Sequence, residues 1–174
     1  RAKGLGALHI VSAWATEDGI ALGQVATDAK SNEITAIPQL LEQIELAGTL
    51  ITIDAMGCQK EIVAQVATGG GDCVIAVKEN QPRLLAAIRT HFLDHLERDL
   101  EELRYRYHGT LDEGHGRMHE RSYMLTKTPR DFAPAKDWPW VKAIGYAVRI
   151  TRQSDGTESD EVRYYLSSRY LSGK

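Results

Sequence analysis

Short apolar runs alternate along this chain with segments whose apolar residues fall three and four apart. Residues 7–15 (ALHIVSAWA) read as a strand, Thr16-Glu17-Asp18-Gly19 supplies turn chemistry, and residues 20–26 return as a second strand, so a hairpin is expected. Ser31-Asn32-Glu33 opens a helix whose apolar positions Ile34, Ile37, Leu40, Leu41, Ile44 and Leu46 run on to Gly48. Residues 50–53 form a short apolar strand ending at Asp54, and residues 59–67 a helix stopped by Gly69-Gly70-Gly71. Residues 73–77 read as a short buried strand. Residues 81–103 read as a long helix with Leu84, Leu85, Ile88, Phe92, Leu96 and Leu100 on one face.

The character changes at Tyr105, where aromatic residues become denser and segments shorter. Residues 117–126 and 141–151 read as strands. Gln153-Ser154-Asp155-Gly156-Thr157 is a hairpin turn, answered by a strand over 161–169. The order β-β-α-β-α-β-α predicts an α/β sheet with short buried parallel strands over residues 1–104, followed by a β-rich segment over 105–174. No internal repeat or low-complexity tract interrupts it.

Composition narrows the class. With 43% hydrophobic and 26% charged residues in 174 positions, the chain is neither disordered nor collagen-like, and it is long enough for a real core. The longest apolar run, 73–77, is far too short for a bilayer, no signal-peptide pattern is seen, and two cysteines fit a reducing cytosol. The formal charge is −3, from 21 Lys and Arg against 24 Asp and Glu, so any nucleic-acid surface has to be a local patch. The chain opens on Arg1-Ala2-Lys3-Gly4 without an initiator Met and stops at Leu171-Ser172-Gly173-Lys174, which reads as an excised piece of a longer protein.

Ligands of α/β sheets gather at the carboxyl ends of the strands. Two such ends are polar here, Ile53-Asp54-Ala55-Met56-Gly57 and Val77-Lys78-Glu79-Asn80-Gln81. A carboxylate held at a strand end suits a hard divalent cation, but Asp54 equally fits the cap of a following turn, and Lys78–Gln81 equally fits a polar helix entry. His115 and His119 stand four apart, which on a helix suits zinc. On a strand, His115, Arg117, His119 and Arg121 share one side, as a phosphate-facing stripe or a solvated face. The triple glycine follows a helix and precedes a strand, the wrong order for a nucleotide loop. Cys58 reads as a half-buried thiol rather than a nucleophile.

The blocks LHIVSAWA, TDAKSNEITAIPQLL, ITIDAMGCQ, VIAVKENQP, DEGHGRMHERSY and AIGYAVRITR through EVRYYLSSRYLSGK together resemble the insertion-sequence transposases of the H-repeat-associated group. These belong to the DDE superfamily, with an RNase H-like catalytic core. The resemblance runs in order over nearly the whole chain. It implies an α+β fold, an RNase H-like mixed sheet flanked by helices, carrying a β-rich insertion between the fifth core strand and the last core helix. It implies DNA cleavage and joining by in-line attack at phosphodiester bonds, with Mg²⁺ or Mn²⁺ held by an Asp-Asp-Glu set. DNA ends are the implied partner and a homodimer the implied assembly. The implied place is the bacterial cytoplasm at the nucleoid, with no membrane and no nucleotide cofactor.

Carried over residue by residue, Asp54 matches the second catalytic aspartate and is the implied metal ligand. Lys78, Asn80 and Gln81 match the family's K-x-N-Q block, and His115, Gly116 and Arg117 its H-G-R block, with DNA contact or site support as their expected roles. Arg121 belongs to the same stripe, and Arg117, Arg121, Lys127, Arg149, Arg152, Arg163 and Arg169 are candidates for a phosphate surface. The first aspartate would precede Arg1 and the glutamate would follow Lys174, so the first core strand and last core helix are expected to be missing. One carboxylate of three predicts a chain inactive by itself. The alternatives are a non-enzymatic remnant that binds DNA weakly, and a stand-alone nuclease using Asp54 with Glu79, Asp112 or Glu120.

Overall fold

The computed structural model describes residues 9–27, 33–114 and 116–171. Strands β1 (His9–Ala15) and β2 (Ile20–Thr27) pair antiparallel as the expected hairpin, closed at Gly19 with φ +67. Next come α1 (Glu33–Leu41), β3 (Leu50–Ile53), a single 3₁₀ turn (Ala55–Gly57), α2 (Lys60–Thr68), β4 (Asp72–Val77) and α3 (Pro82–Leu96). Four long strands follow: β5 (Tyr105–Gly114), β6 (Arg117–Lys127), β7 (Ala143–Gln153) and β8 (Glu158–Ser167). The fold is α+β around a mixed sheet, compatible with an RNase H-like arrangement. No described helix is long and apolar enough to cross a membrane.

The main sheet has the order β3-β4-β8-β7-β6-β5. Strands β3 and β4 are parallel and joined through α2, whereas β8 runs antiparallel to β4 and β5 to β8 form an antiparallel meander. The β-rich segment is therefore hydrogen-bonded directly onto the parallel pair. Ser168 reinforces the join: its Oγ accepts the Cys73 amide at 2.9 Å and donates to Asp72 Oδ1 at 2.9 Å. The hairpin β1–β2 forms its own two-stranded sheet against α1, so β1 and β3 each keep an edge without a partner strand among the described residues.

Registers fix two further properties. Strand β8 pairs with β4 only from Tyr164 to Ser167, so residues 158–163 have no β4 partner. These residues, with the parts of β5, β6 and β7 in register, project past the carboxyl ends of β3 and β4 by about 20 Å at the usual rise per residue. One face of the sheet is covered: Cys73, Ile75, Val77, Ile144 and Leu166 are buried there with Ile62, Val63 and Val66 of α2 and Leu84, Ile88 and Phe92 of α3. Phe92 meets Tyr146 edge-on, centroids 4.8 Å apart. Phe132, Trp138 and Val141, from the connection between β6 and β7, complete this cluster. The other face, beginning with Val74, Ala76, Ser167 and Tyr165, carries no described helix. We call it the open face.

Three elements depart from the sequence reading. Helix α3 ends at Leu96 rather than near residue 103, because the chain turns through Asp99 (φ 54) and Leu100 (φ 60) and the Leu100 amide closes on the His95 carbonyl at 2.9 Å. Helix α1 ends at Leu41, yet Leu46 is buried and Ile44 packs against the core from the turn that follows. Strand β5 has no counterpart in the sequence reading. It is an edge strand exposed along most of its length, although Tyr105, Tyr107 and Leu111 alternate with Arg106, His108 and Asp112.

Candidate functional site

Asp54 stands at the carboxyl end of β3, exposed, with extended backbone (φ −72, ψ −180). Its Oδ1 accepts the Met56 amide at 3.0 Å, which caps the 3₁₀ turn. The capping alternative is thus met in the structure, but it uses one oxygen only, and Oδ2 has no hydrogen-bond partner among the described residues. The turn is tightly built. A Cβ on Gly57 would run into Ile53 Cγ2 and meet Ile37 Cδ1 at 3.0 Å.

Lys78–Gln81, at the end of the neighbouring parallel strand, reaches back to this turn. Asn80 Nδ2 donates to the Ala55 carbonyl at 2.6 Å, and Gln81 Nε2 donates to the Cys58 carbonyl at 2.8 Å. Gln81 is also the residue before α3, and Pro82 takes the first helical position, where its missing amide costs nothing. Gln81 thus meets the helix-entry alternative, and Asn80 and Gln81 also brace the turn that follows Asp54. The Lys78 side chain is exposed and forms no ion pair within 4 Å among the described residues.

His115 lies outside the described residues. Arg117, His119 and Arg121 are on β6 and share the open face, since alternate strand residues point the same way. His119 Nδ1 is 3.0 Å from Thr151 Oγ1, and Arg121 forms an ion pair with Asp112. The ladder adds Lys127, Arg149 and Arg163 to this face. Arg152 belongs to the opposite face, where it pairs with Glu120 at 3.2 Å and Glu158 at 2.7 Å. Arg169 follows β8 and lies 3.6 Å from Asp72. The seven basic candidates are thus divided between surfaces. Arg106, on β5, lies on the open face, with its guanidinium 4.3 Å from the Tyr170 ring centroid.

Among the described residues, no group of three or more His, Cys, Asp or Glu side chains converges as a metal site. Asp112 and Glu120 sit on opposite faces of the projecting sheet, each engaged by an arginine. The donors present do not by themselves make a divalent-metal clamp around Asp54. Cys58 is fully buried rather than half-buried, and Cys73 is buried in β4 as expected. Burial, then the neighbouring Cys73, pushes the Cys58 thiol up to about 12, which excludes it as a ready nucleophile.

Comparison with known proteins supplies the family. The family model described as the transposase DDE domain matches residues 1–143, and the chain belongs to that family. It is 37% identical over 177 residues to a putative transposase YncI of Escherichia coli O157:H7, covering 100% of this chain and 45% of that protein. The H repeat-associated putative transposase YhhI of Escherichia coli K12 is 37% identical over 177 residues, covering 97% of this chain and 45% of its own length. The related YbfD of the same strain is 41% identical over 127 residues, covering 71% and 48%. The chain spans about half the length of these relatives. No solved structure matches it significantly.

Proposed function

We propose that this chain is part of an enzyme that cleaves and joins DNA, with Asp54 as one of its metal-binding carboxylates. The observation that carries the reading is the position of Asp54: an exposed carboxylate at the carboxyl end of a parallel strand, with one oxygen fixed by the Met56 amide. Asn80 and Gln81 are positioning residues, which hold the turn that carries it. Arg117 and Arg121 contact DNA phosphates, and His115 and Lys78 belong to the same DNA-facing set. The remaining carboxylates, and the Mg²⁺ or Mn²⁺ they complete a site for, require residues beyond those described. The first core strand belongs beside the open edges of β1 and β3, and two copies act together on paired DNA ends.

The test is a Mg²⁺ and Mn²⁺ titration watched by thermal shift and by nicking of supercoiled DNA. The 174-residue chain should show neither saturable stabilisation nor nicking. A longer chain carrying the remaining segments of its relatives should cut DNA, and Asp54→Ala should abolish that cutting. Nicking by the short chain, lost in Asp54→Ala, would establish a stand-alone nuclease instead. Cutting by the longer chain that survives Asp54→Ala would remove Asp54 from the site altogether.

A further inference from the structure

The projecting part of the sheet is electrically two-sided. Its open face carries Arg117, Arg121, Arg149 and Arg163 against two carboxylates, Asp112 and Glu161. The opposite face of the same stretch carries Arg152 alone against Glu113, Glu120, Glu158 and Asp160. These registers contain no bulge, so the division follows directly from side-chain alternation. A chain with net charge −3 therefore concentrates positive charge on one face of one ribbon, next to the strand ends that carry Asp54 and Lys78.

Within that face Arg121 and Arg149 stand directly opposite each other on neighbouring strands, and Glu161 opposes Arg149 from the far side. Like charges in this relation repel. Arg121 is paired to Asp112, and Arg163 holds Glu161 through two contacts of 2.8 and 3.1 Å. Arg149 has only Thr151 Oγ1 at 3.4 Å and no carboxylate within ion-pair distance among the described residues. The three arginines, with Tyr123, Glu161 and Tyr165, line a shallow depression of about 100 Å³.

We propose that this depression seats a phosphate of the DNA backbone, with Arg149 as its principal donor, so that DNA runs along the open face of the projecting sheet and not the acidic face. This rests on the DNA reading above. Arg149 supplies unspent guanidinium donors, and an incoming phosphate relieves the repulsion between Arg121 and Arg149. Contacts of this kind position the duplex without reading its sequence. The acidic face repels the same backbone.

The experiment compares two arginines three residues apart on β7, on opposite faces. Binding of a labelled DNA duplex to the full 174-residue chain is measured over a range of salt concentrations for wild type, Arg149→Ala and Arg152→Ala, which lose the same formal charge. Arg149→Ala should weaken binding about tenfold at low salt and reduce the salt slope by about 0.9, one phosphate contact. Arg152→Ala should leave both values as in wild type. Arg149→Gln repeats the test if the alanine variant does not fold, which thermal unfolding reports. Equal weakening in both variants, weakening in Arg152→Ala alone, or no change in Arg149→Ala overturns the proposal and leaves the DNA reading standing. A wild-type chain that binds no duplex at the lowest salt overturns both.

Discussion

Asn80 Nδ2 donates a 2.6 Å hydrogen bond to the Ala55 carbonyl, joining the end of β4 to the turn that follows Asp54. A side chain at the end of one parallel strand thereby sets the backbone at the end of its neighbour. Asn80→Ala removes that donor, while the Ala55 carbonyl keeps the Cys58 amide at 3.1 Å. It should cost about 0.5–1.5 kcal/mol in urea unfolding, the usual range for one lost hydrogen bond whose acceptor keeps a second partner. Asn80→Asp, which keeps the shape but loses the donor, should cost no less.

Gly57 is constrained by space. A Cβ there collides with Ile53 Cγ2 and presses on Ile37 Cδ1, both near the Asp54 turn. Gly57→Ala should lower stability by about 1–3 kcal/mol, as expected when a carbon is forced into a packed site. Its urea midpoint should fall while the m-value stays constant. On the proposed function the Asp54 carboxylate would also be displaced, so any DNA cutting by a longer chain should fall more than binding does.

The two cysteines should be silent in the folded protein. Cys58 is buried and its thiol is held near 12, and burial raises Cys73 as well. Iodoacetamide at pH 8 should modify both slower by orders of magnitude in native chain than in denaturant. Equal rates under both conditions would show that the core around β4 is open.

His91 should make stability acid-sensitive. Burial, then the adjacent His95, lowers its pKa, with Asp131 and Asp94 acting in the opposite direction, and its Nε2 is buried without a hydrogen-bond partner among the described residues. The folded state therefore resists protonation. Its contribution is complete above the ordinary imidazole value of about 6.5 and is lost as pH falls through that value towards the lowered one, because the unfolded chain takes the proton first. His91→Phe, which keeps the ring beside Phe92, should flatten the decline of the urea midpoint between about pH 7.5 and 5.5.

Patterns that report burial were legible in the sequence. Apolar residues three and four apart placed α1 and α3 on the core, and apolar runs placed β3 and β4, because hydrophobic periodicity records which side of an element faces inward. The same signal does not report where a backbone stops. Leu100 kept helical spacing yet lies past the end of α3 in a left-handed conformation that no glycine announced. Strand β5 does alternate, Tyr105, Tyr107 and Leu111 against Arg106, His108 and Asp112, but on this edge strand those apolar residues stay exposed, so the pattern does not report burial there.

The sequence by itself determined the family, the element order over its first hundred residues, the position of Asp54 at a strand end and the residues of the basic stripe. These depend on local pattern and on blocks of consecutive residues. Only the tertiary structure decided which residues meet. Asn80 and Gln81 reach turns 25 and 23 residues away, and strand registers set Arg149 opposite Arg121 on one side and Glu161 on the other. Pairing β8 onto β4 through Tyr164–Ser167 alone is what pushes the basic face out beside the Asp54 edge. Register is a long-range property set by hydrogen bonds between distant strands, and a shift of one residue would exchange the two faces.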